Sequence, residues 1–198
     1  MKAIVFDIGN VLVRWDPYLA FLPDLGTREA VEAFLIRTDF SVRNLRADGG
    51  ERFADLAREI ADPADAALFA GYVERYRLAV AEAIEGTWAL MDGLRARGHA
   101  IHAITNASVE TMPAAYAAHP RLATSFGVTV VSGAERVLKP EARIFHLLCE
   151  RAGVAAKDCV FIDDSEKNVI GARAAGMDAI HFTGPAALAE ALAGRGLI

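Results

Sequence analysis

Five short runs of the chain are almost continuously apolar and rich in β-branched residues: AIVF at 3–6, AIHAIT at 100–105, GVTVV at 127–131, CVFI at 159–162 and AIHF at 179–182. Runs that are apolar without alternation suit strands of a parallel sheet buried on both faces. Between the later runs apolar positions recur at helical spacing, and the ends carry stop and start signals. Thr87 is expected to cap a helix that stops at Gly98, Pro140 to open a helix closed by Gly153, and Ser165 to cap one that ends near Gly176. GPAALAEALAGRGLI reads as a terminal helix. Strand and helix in alternation predict an α/β fold, a doubly wound parallel sheet with helices on both faces.

The alternation is interrupted once. Residues 17–85 hold no strand pattern but several helical ones, among them REAVEAFLIR and ADAALFAGYVERYRLAVAEAI, the latter started by Asp62 and Pro63. They predict a small helical domain inserted after the first strand, which leaves residues 1–16 and 86–198 as the Rossmann-like core. A chain of 198 residues, 54% hydrophobic and 24% charged, is of ordinary globular composition and long enough to bury a core. Its net charge of -5 gives no broad basic face, so no nucleic-acid partner is expected. Asp7 breaks the N-terminal apolar run early, and no longer apolar segment follows, so neither a signal peptide nor a membrane partner is expected. Cys149 and Cys159 make neither a disulfide framework nor a metal-ligand pattern, which points to a cytoplasmic setting. The five histidines lack metal spacing, and Trp15, Trp88 and the aromatics of YVERYRLAV are expected to be packing residues.

In an open parallel sheet, ligands collect at the carboxyl ends of the strands. Several polar residues fall there: Asp7 after the first run, Thr105 and Asn106 after the second, Lys139 after the third, Asp163 and Asp164 after the fourth. Each alone reads as a turn or cap residue. Together they describe a device for phosphoryl transfer. Three converging carboxylates would repel one another unless a hard cation sat among them, and Mg²⁺ favours a few carboxylates with water and substrate phosphate. Asp7 would attack phosphorus, Lys139 would neutralise the transferring group, and Thr105 with nearby N–H groups would hold its oxygens.

The order of these motifs, FDIGNVLV, AITN, LKPEARIF and VFIDDSEKNVIGARAAG, resembles that of the haloacid dehalogenase-like (HAD) hydrolase superfamily along essentially the whole chain. Within it, FDIGNVLVRWDP and KPEARIF are most similar to a bacterial branch of sugar-phosphate phosphatases, the α-glucose-1-phosphate phosphatases. The resemblance implies that Asp7 is the nucleophile, Thr105 and Lys139 bind phosphate, Asp163 and Asp164 are magnesium carboxylates, and Gly9 lends a backbone carbonyl to the metal. It also implies that Asn106 orients substrate or loop, and that residues 17–85 form a cap. A polar cap stretch, RNLRADGGE, is then expected to face the site as a connection between helices, with Arg43, Asn44 and Arg46 as candidates for substrate contact. The implied partner is a small phosphorylated metabolite.

One departure stands out. Most phosphatases of the superfamily carry a second Asp two residues after the nucleophile, as general acid to the leaving group, and here that place is Gly9. General acid–base catalysis contributes about 10²–10⁴-fold. Dehalogenases of the superfamily also lack that Asp and work without metal, so a 2-haloacid dehalogenase is a second reading, and a binding module without turnover a third. Asp163 with Asp164 favours the phosphatase, because an uncompensated acidic pair opposes a carboxylate-bearing substrate. Asp16 is a candidate substitute acid, although its place before Pro17 suits a helix cap. Asn168 is placed to hydrogen-bond back toward the acidic pair.

Overall fold

All five apolar runs form strands in the computed structural model, which describes residues 1–198: β1 (Ala3–Phe6), β2 (Ala100–Thr105), β3 (Thr129–Val131), β4 (Cys159–Asp163) and β5 (Asp178–His181). They make one parallel sheet in the order β3-β2-β1-β4-β5. Ala3 of β1 stands opposite Ala100 on one side and Cys159 on the other, so the strands end at nearly the same level. The chain runs outward from β1 to β3 and then returns to the far side of β1, and connections diverge at the carboxyl end of the central strand.

Seven helices lie between β1 and β2, and the first six make up the insertion: α1 (Tyr18–Leu25), α2 (Arg28–Arg37), α3 (Phe40–Asp48), α4 (Phe53–Ala57), α5 (Pro63–Ala70) and α6 (Tyr72–Ala79). The rest follow as α7 (Glu85–Ala96), α8 (Met112–Ala118), α9 (Arg121–Thr124), α10 (Ser132–Glu135), α11 (Ala142–Ala152), α12 (Glu166–Ala174) and α13 (Pro185–Ala193). Alternate residues of β1 serve opposite faces, as a pleated strand requires. Ile4 and Phe6 pack with Trp88 and Met91 of α7, Met112 of α8 and Leu188 of α13. Ala3 and Val5 pack with Ile144 and Phe145 of α11 and Val169 of α12. The inserted helices keep a third apolar cluster, built round Phe21, Phe34, Phe40, Phe53, Phe69 and Tyr72. Its rings meet face and edge, with Tyr72 stacked on Phe21 at 5.4 Å between centroids.

Several helix ends differ from the sequence-based expectation. Thr87 does not cap α7; the helix begins at Glu85, and Thr87 is buried within it. Pro140 lies ahead of α11, in a turn closed by the Glu141 N–H to the Leu138 carbonyl at 2.9 Å, while Gly153 ends the helix in the left-handed conformation as expected. Asp62 caps α5 through the N–H groups of Ala64 and Asp65, but the helix does not run on: Gly71 divides α5 from α6. The Arg75 guanidinium occupies the space a side chain at 71 would need, and donates at 2.8 Å to the Leu68 carbonyl near that break. RNLRADGGE is not a connecting loop. It continues α3 as far as Asp48, and only Gly49 onward turns.

The insertion is tied to the sheet at its ends and at the tip of α3. The Arg14 and Asp16 N–H groups donate to the Glu82 and Ala79 carbonyls at 2.9 and 2.8 Å, where the chain leaves and re-enters the core. At the far side the buried Ser132 hydroxyl donates to the Asp48 carbonyl at 2.6 Å, and the Phe53 N–H donates to Glu110 Oε2 at 2.7 Å. These bonds hold the end of α3 over the carboxyl ends of β1 and β2.

Candidate active site

The last ladder bond of β1, Asp7 N–H to the Ile162 carbonyl at 2.8 Å, carries Asp7 to the sheet's edge beside Asp163. The chain then turns sharply: Asn10 adopts the left-handed conformation, and its Oδ1 accepts the Trp15 N–H at 3.0 Å. Asp7 Oδ1 accepts the Ile8 N–H at 2.7 Å and meets Lys139 Nζ at 2.8 Å, while Oδ2 has no hydrogen bond from the protein. One carboxylate oxygen is thereby fixed and the other left for chemistry.

Lys139 is buried among oxygens. Its Nζ reaches Asp163 Oδ2 at 2.7 Å, Asp7 Oδ1 at 2.8 Å and the Ile104 carbonyl at 3.2 Å. Asn106 clamps the backbone of the same residue, accepting its N–H at 2.8 Å and donating to its carbonyl at 3.1 Å. Asp163 also accepts Ser165 N–H at 2.8 Å and Asn168 Nδ2 at 3.0 and 3.2 Å, so Ser165 starts α12 without a side-chain cap and Asn168 bonds back to the acidic pair as expected. Thr105 is buried at the end of β2, and its hydroxyl, free of protein partners, lines the same pocket as Asp7.

Oxygens of Asp7, Asp163 and Asp164 all lie within 4.8 Å of one another. Burial pushes the Asp7 carboxyl well above the usual carboxylate range; Lys139 opposes this, while Asp163 and Asp164 add to it. Asp164 is raised by burial and by Asp163. Burial works against the Lys139 charge, but Asp7 and Asp163 outweigh it and hold the ammonium above its ordinary value. Three carboxylates face one ammonium, and the excess of negative charge in an all-oxygen setting suits a hard divalent cation.

A pocket of about 160 Å³ opens above these groups. Asp7, Gly9, Thr105, Asn106 and Asp164 form its floor, and Asn44 and Asp48 of α3 reach it from the insertion. Trp15 and Tyr76, expected only to pack, line its apolar side with Val13, Val80 and Met112. Trp15 is fixed there by its Nε1, which donates to Tyr72 Oη at 3.0 Å. Of the three α3 residues predicted to contact substrate, only Asn44 reaches the pocket. Arg46 is exposed and paired with Glu51 and Glu59 at 2.6 and 2.7 Å. Arg43 donates to the Thr38 carbonyl and lies 3.9 Å from Glu59. Asp16 is occupied by the Tyr18 N–H at 3.0 Å and Arg28 at 3.4 Å, and it does not line the pocket. Sequence reading missed Asp48 and Ser132, whose neighbours come from distant parts of the chain.

The chain is 26% identical over 187 residues to a sesquiterpene phosphatase of Aspergillus oryzae, covering 92% of this chain and 90% of that protein. Its fold matches a HAD family enzyme of Bacteroides thetaiotaomicron, solved in complex with magnesium and inorganic phosphate, with a TM-score of 0.71 at 19% identity over 93% of this chain and 95% of that one. It also matches the L-2-haloacid dehalogenase of Xanthobacter autotrophicus, with a TM-score of 0.64 at 21% identity over 90% and 76% of the two chains. Likeness of fold therefore extends to both chemistries weighed from the sequence and does not choose between them. The sequence model of the haloacid dehalogenase-like hydrolases matches residues 1–176, and the chain belongs to that family.

Proposed function

We propose that the protein is a magnesium-dependent phosphatase of small phosphorylated metabolites that works through an aspartyl-phosphate on Asp7. The observation that carries this reading is the oxygen trio of Asp7, Asp163 and Asp164, the first two of which hold Lys139 between them. A dehalogenase, which binds an organic carboxylate without metal, would be hindered by that excess of negative charge. The sesquiterpene phosphatase relative adds support for phosphate ester chemistry.

In this reading Asp7 and Asp164, with the Gly9 carbonyl, hold Mg²⁺, and Asp163 supports them while fixing Lys139. The bound ion supplies neutralisation of the substrate phosphate and screening of the carboxylates from one another. Asp7 Oδ2 attacks phosphorus, its partner oxygen being held by Ile8 N–H and Lys139. Lys139 places its positive charge beside the transferring group, and the Thr105 hydroxyl donates to a phosphate oxygen. Asn106 keeps Lys139 in register through its two backbone bonds. Residues 17–85 act as a cap over residues 1–16 and 86–198, and closure excludes water while the aspartyl-phosphate forms. The setting remains the cytoplasm expected from the sequence.

Sugar phosphates fit the amide group of Asn44, which lines the pocket, and Arg43 and Arg46, engaged elsewhere, take no part. The apolar wall of Val13, Trp15, Tyr76, Val80 and Met112 favours a second reading, a phosphate ester with an alkyl or prenyl group. Phosphate and halide release should be followed with sugar, aryl, acyl and prenyl phosphates and 2-chloropropionate, each with Mg²⁺ and with EDTA, in wild type and Asp7→Asn. Phosphate release that needs both magnesium and Asp7 supports the phosphatase. Halide release in EDTA would replace it with a dehalogenase, and tight phosphate binding without turnover with a binding module.

A further inference from the structure

At Gly9 the general acid is missing and nothing has moved into its place: a Cβ there would meet only the Trp15 Cβ at 4.0 Å. The pocket nevertheless has one carboxyl outside the trio of Asp7, Asp163 and Asp164, and it comes from the insertion. We propose that Asp48, the last residue of α3, is the catalytic acid and base of this enzyme, giving a proton to the leaving oxygen and later taking one from water. The inference rests on the phosphatase reading above.

Position is the first argument. Asp48 lines the same pocket as Asp7 and Thr105. Its backbone is pinned to the core by the Ser132 hydroxyl at 2.6 Å, and Gly50, two residues on, passes so close to the core that a Cβ there would lie 2.9 Å from the Gly133 carbonyl. The carboxyl is held by its own helix and faces the loop after β2. Asn44, one helical turn earlier, donates to Oδ2 at 3.0 Å, and the Ser108 N–H, in the loop after β2, favours the charged form of the same carboxyl. An acid so braced needs little reorganisation when substrate enters.

Protonation is the second argument. Asp48 is half-buried, open to the pocket and closed in by protein elsewhere. Burial pushes its carboxyl up to about 8, against the opposing effects of the Ser108 N–H and of Lys139. Tyr72 and Tyr76 of α6 are the phenols that register its charge, and burial keeps both protonated far above neutrality. A carboxyl that retains its proton near pH 7 and faces a pocket matches the requirement for a general acid.

The steps balance. Asp7 Oδ2 forms a bond to phosphorus as the bond from phosphorus to the ester oxygen breaks; the bond pair stays on that oxygen, which takes the proton of Asp48 and leaves as the alcohol. Water then attacks phosphorus and gives a proton to the Asp48 carboxylate, and the bond from phosphorus to Asp7 breaks. Inorganic phosphate leaves, and both carboxyls return to their starting forms.

Asp48→Asn, nearly isosteric with the protonated acid, tests this through leaving groups. Alcohol release in the first turnover should fall about 10²–10⁴-fold for an alkyl phosphate, whose oxygen must be protonated, and stay within about tenfold for 4-nitrophenyl phosphate, whose oxygen need not be. The aryl ester should give a burst of one nitrophenol per enzyme before a slow steady state, because the second step still lacks its base. Wild type should lose alkyl phosphate turnover above pH about 8, a limb absent from the variant. Equal losses on both esters with no burst, or no loss on either, would overturn the role of Asp48 while leaving the phosphatase intact. Wild type that releases no phosphate from any ester would overturn both.

Discussion

Lys139 Nζ lies 2.7 Å from Asp163 Oδ2, and the two side chains are 1% and 0% exposed. A buried pair of this kind resists the loss of either member, because the survivor keeps its charge without compensation. Lys139→Met would leave Asp163 beside Asp7 with no ammonium between them. At neutral pH without divalent ions, urea unfolding should show the variant less stable by about 3–5 kcal/mol. Phosphate release should be lost as well. An unchanged urea midpoint would mean that the carboxyls take up protons at negligible cost, and that the ammonium does not hold the floor of the site together.

Magnesium should stabilise the folded chain through the acidic trio. A ligand that binds only the native state adds about 2.7 kcal/mol at a concentration one hundred times its dissociation constant. Asp164 is half-buried and contributes an oxygen to the cluster, so Asp164→Asn should fold yet lose most of the magnesium-dependent rise in melting temperature. Calorimetric scans with and without Mg²⁺ read this directly. A variant that keeps the full rise would place the ion elsewhere.

The raised carboxyl of Asp48 carries a stability signature apart from turnover. Its value moves from 3.8 to about 8 on folding, so between these limits the native chain holds a proton that the unfolded chain has released. Its contribution is therefore complete at acid pH and is lost as pH rises through this window. Asp48→Asn removes the effect. Its stability relative to wild type should improve steadily from pH about 4 to about 8 and level off above, as read from urea midpoints. Buried Asp7 contributes in the same direction in both chains and cancels in the difference. A constant gap across the window would show that Asp48 titrates normally.

Gly9 is not required by its backbone. It lies outside the left-handed region, and the nearest atom to an added Cβ is 4.0 Å away. Gly9→Ala should fold with stability unchanged or raised by up to about 1 kcal/mol. A marked fall in melting temperature would show that the turn after β1 needs glycine's freedom. By contrast, Gly50 has a φ of +101° and meets the Gly133 carbonyl, and it should tolerate no side chain.

How far the sequence disclosed the site depended on how local each signal was. Asp7, Thr105, Asp163 and Asp164 close or directly follow apolar runs that read as buried strands, with Lys139 a short way past another, and parallel strands end together, so their convergence was legible. The α3 residues were not. Read as a loop, residues 43–46 all faced the site; as a helix, Asn44 and Asp48 share a face four residues apart, while Arg43 and Arg46 turn toward Glu59. Asp48 gains its meaning from Ser132, 84 residues away, and from Ser108, contacts that no short-range pattern announces. Thr87 and Pro140 looked like helix openings because their types favour such places, but tertiary packing set the true starts at Glu85 and Ala142.

Ser132 offers a last test, because it touches no substrate. Its buried hydroxyl accepts the Ala107 N–H at 3.0 Å and donates to the Asp48 carbonyl at 2.6 Å, which joins the insertion to the core just where Asp48 enters the pocket. Ser132→Ala leaves both backbone groups without that partner and should cost about 1–3 kcal/mol in urea unfolding. If the bond serves mainly to place Asp48, the variant should also copy Asp48→Asn in weakened form, losing more first-turnover rate on an alkyl phosphate than on 4-nitrophenyl phosphate. A merely structural serine would lower stability and leave the ratio of the two rates at its wild-type value. That ratio, independent of how much enzyme is folded, separates positioning of an acid from support of the fold.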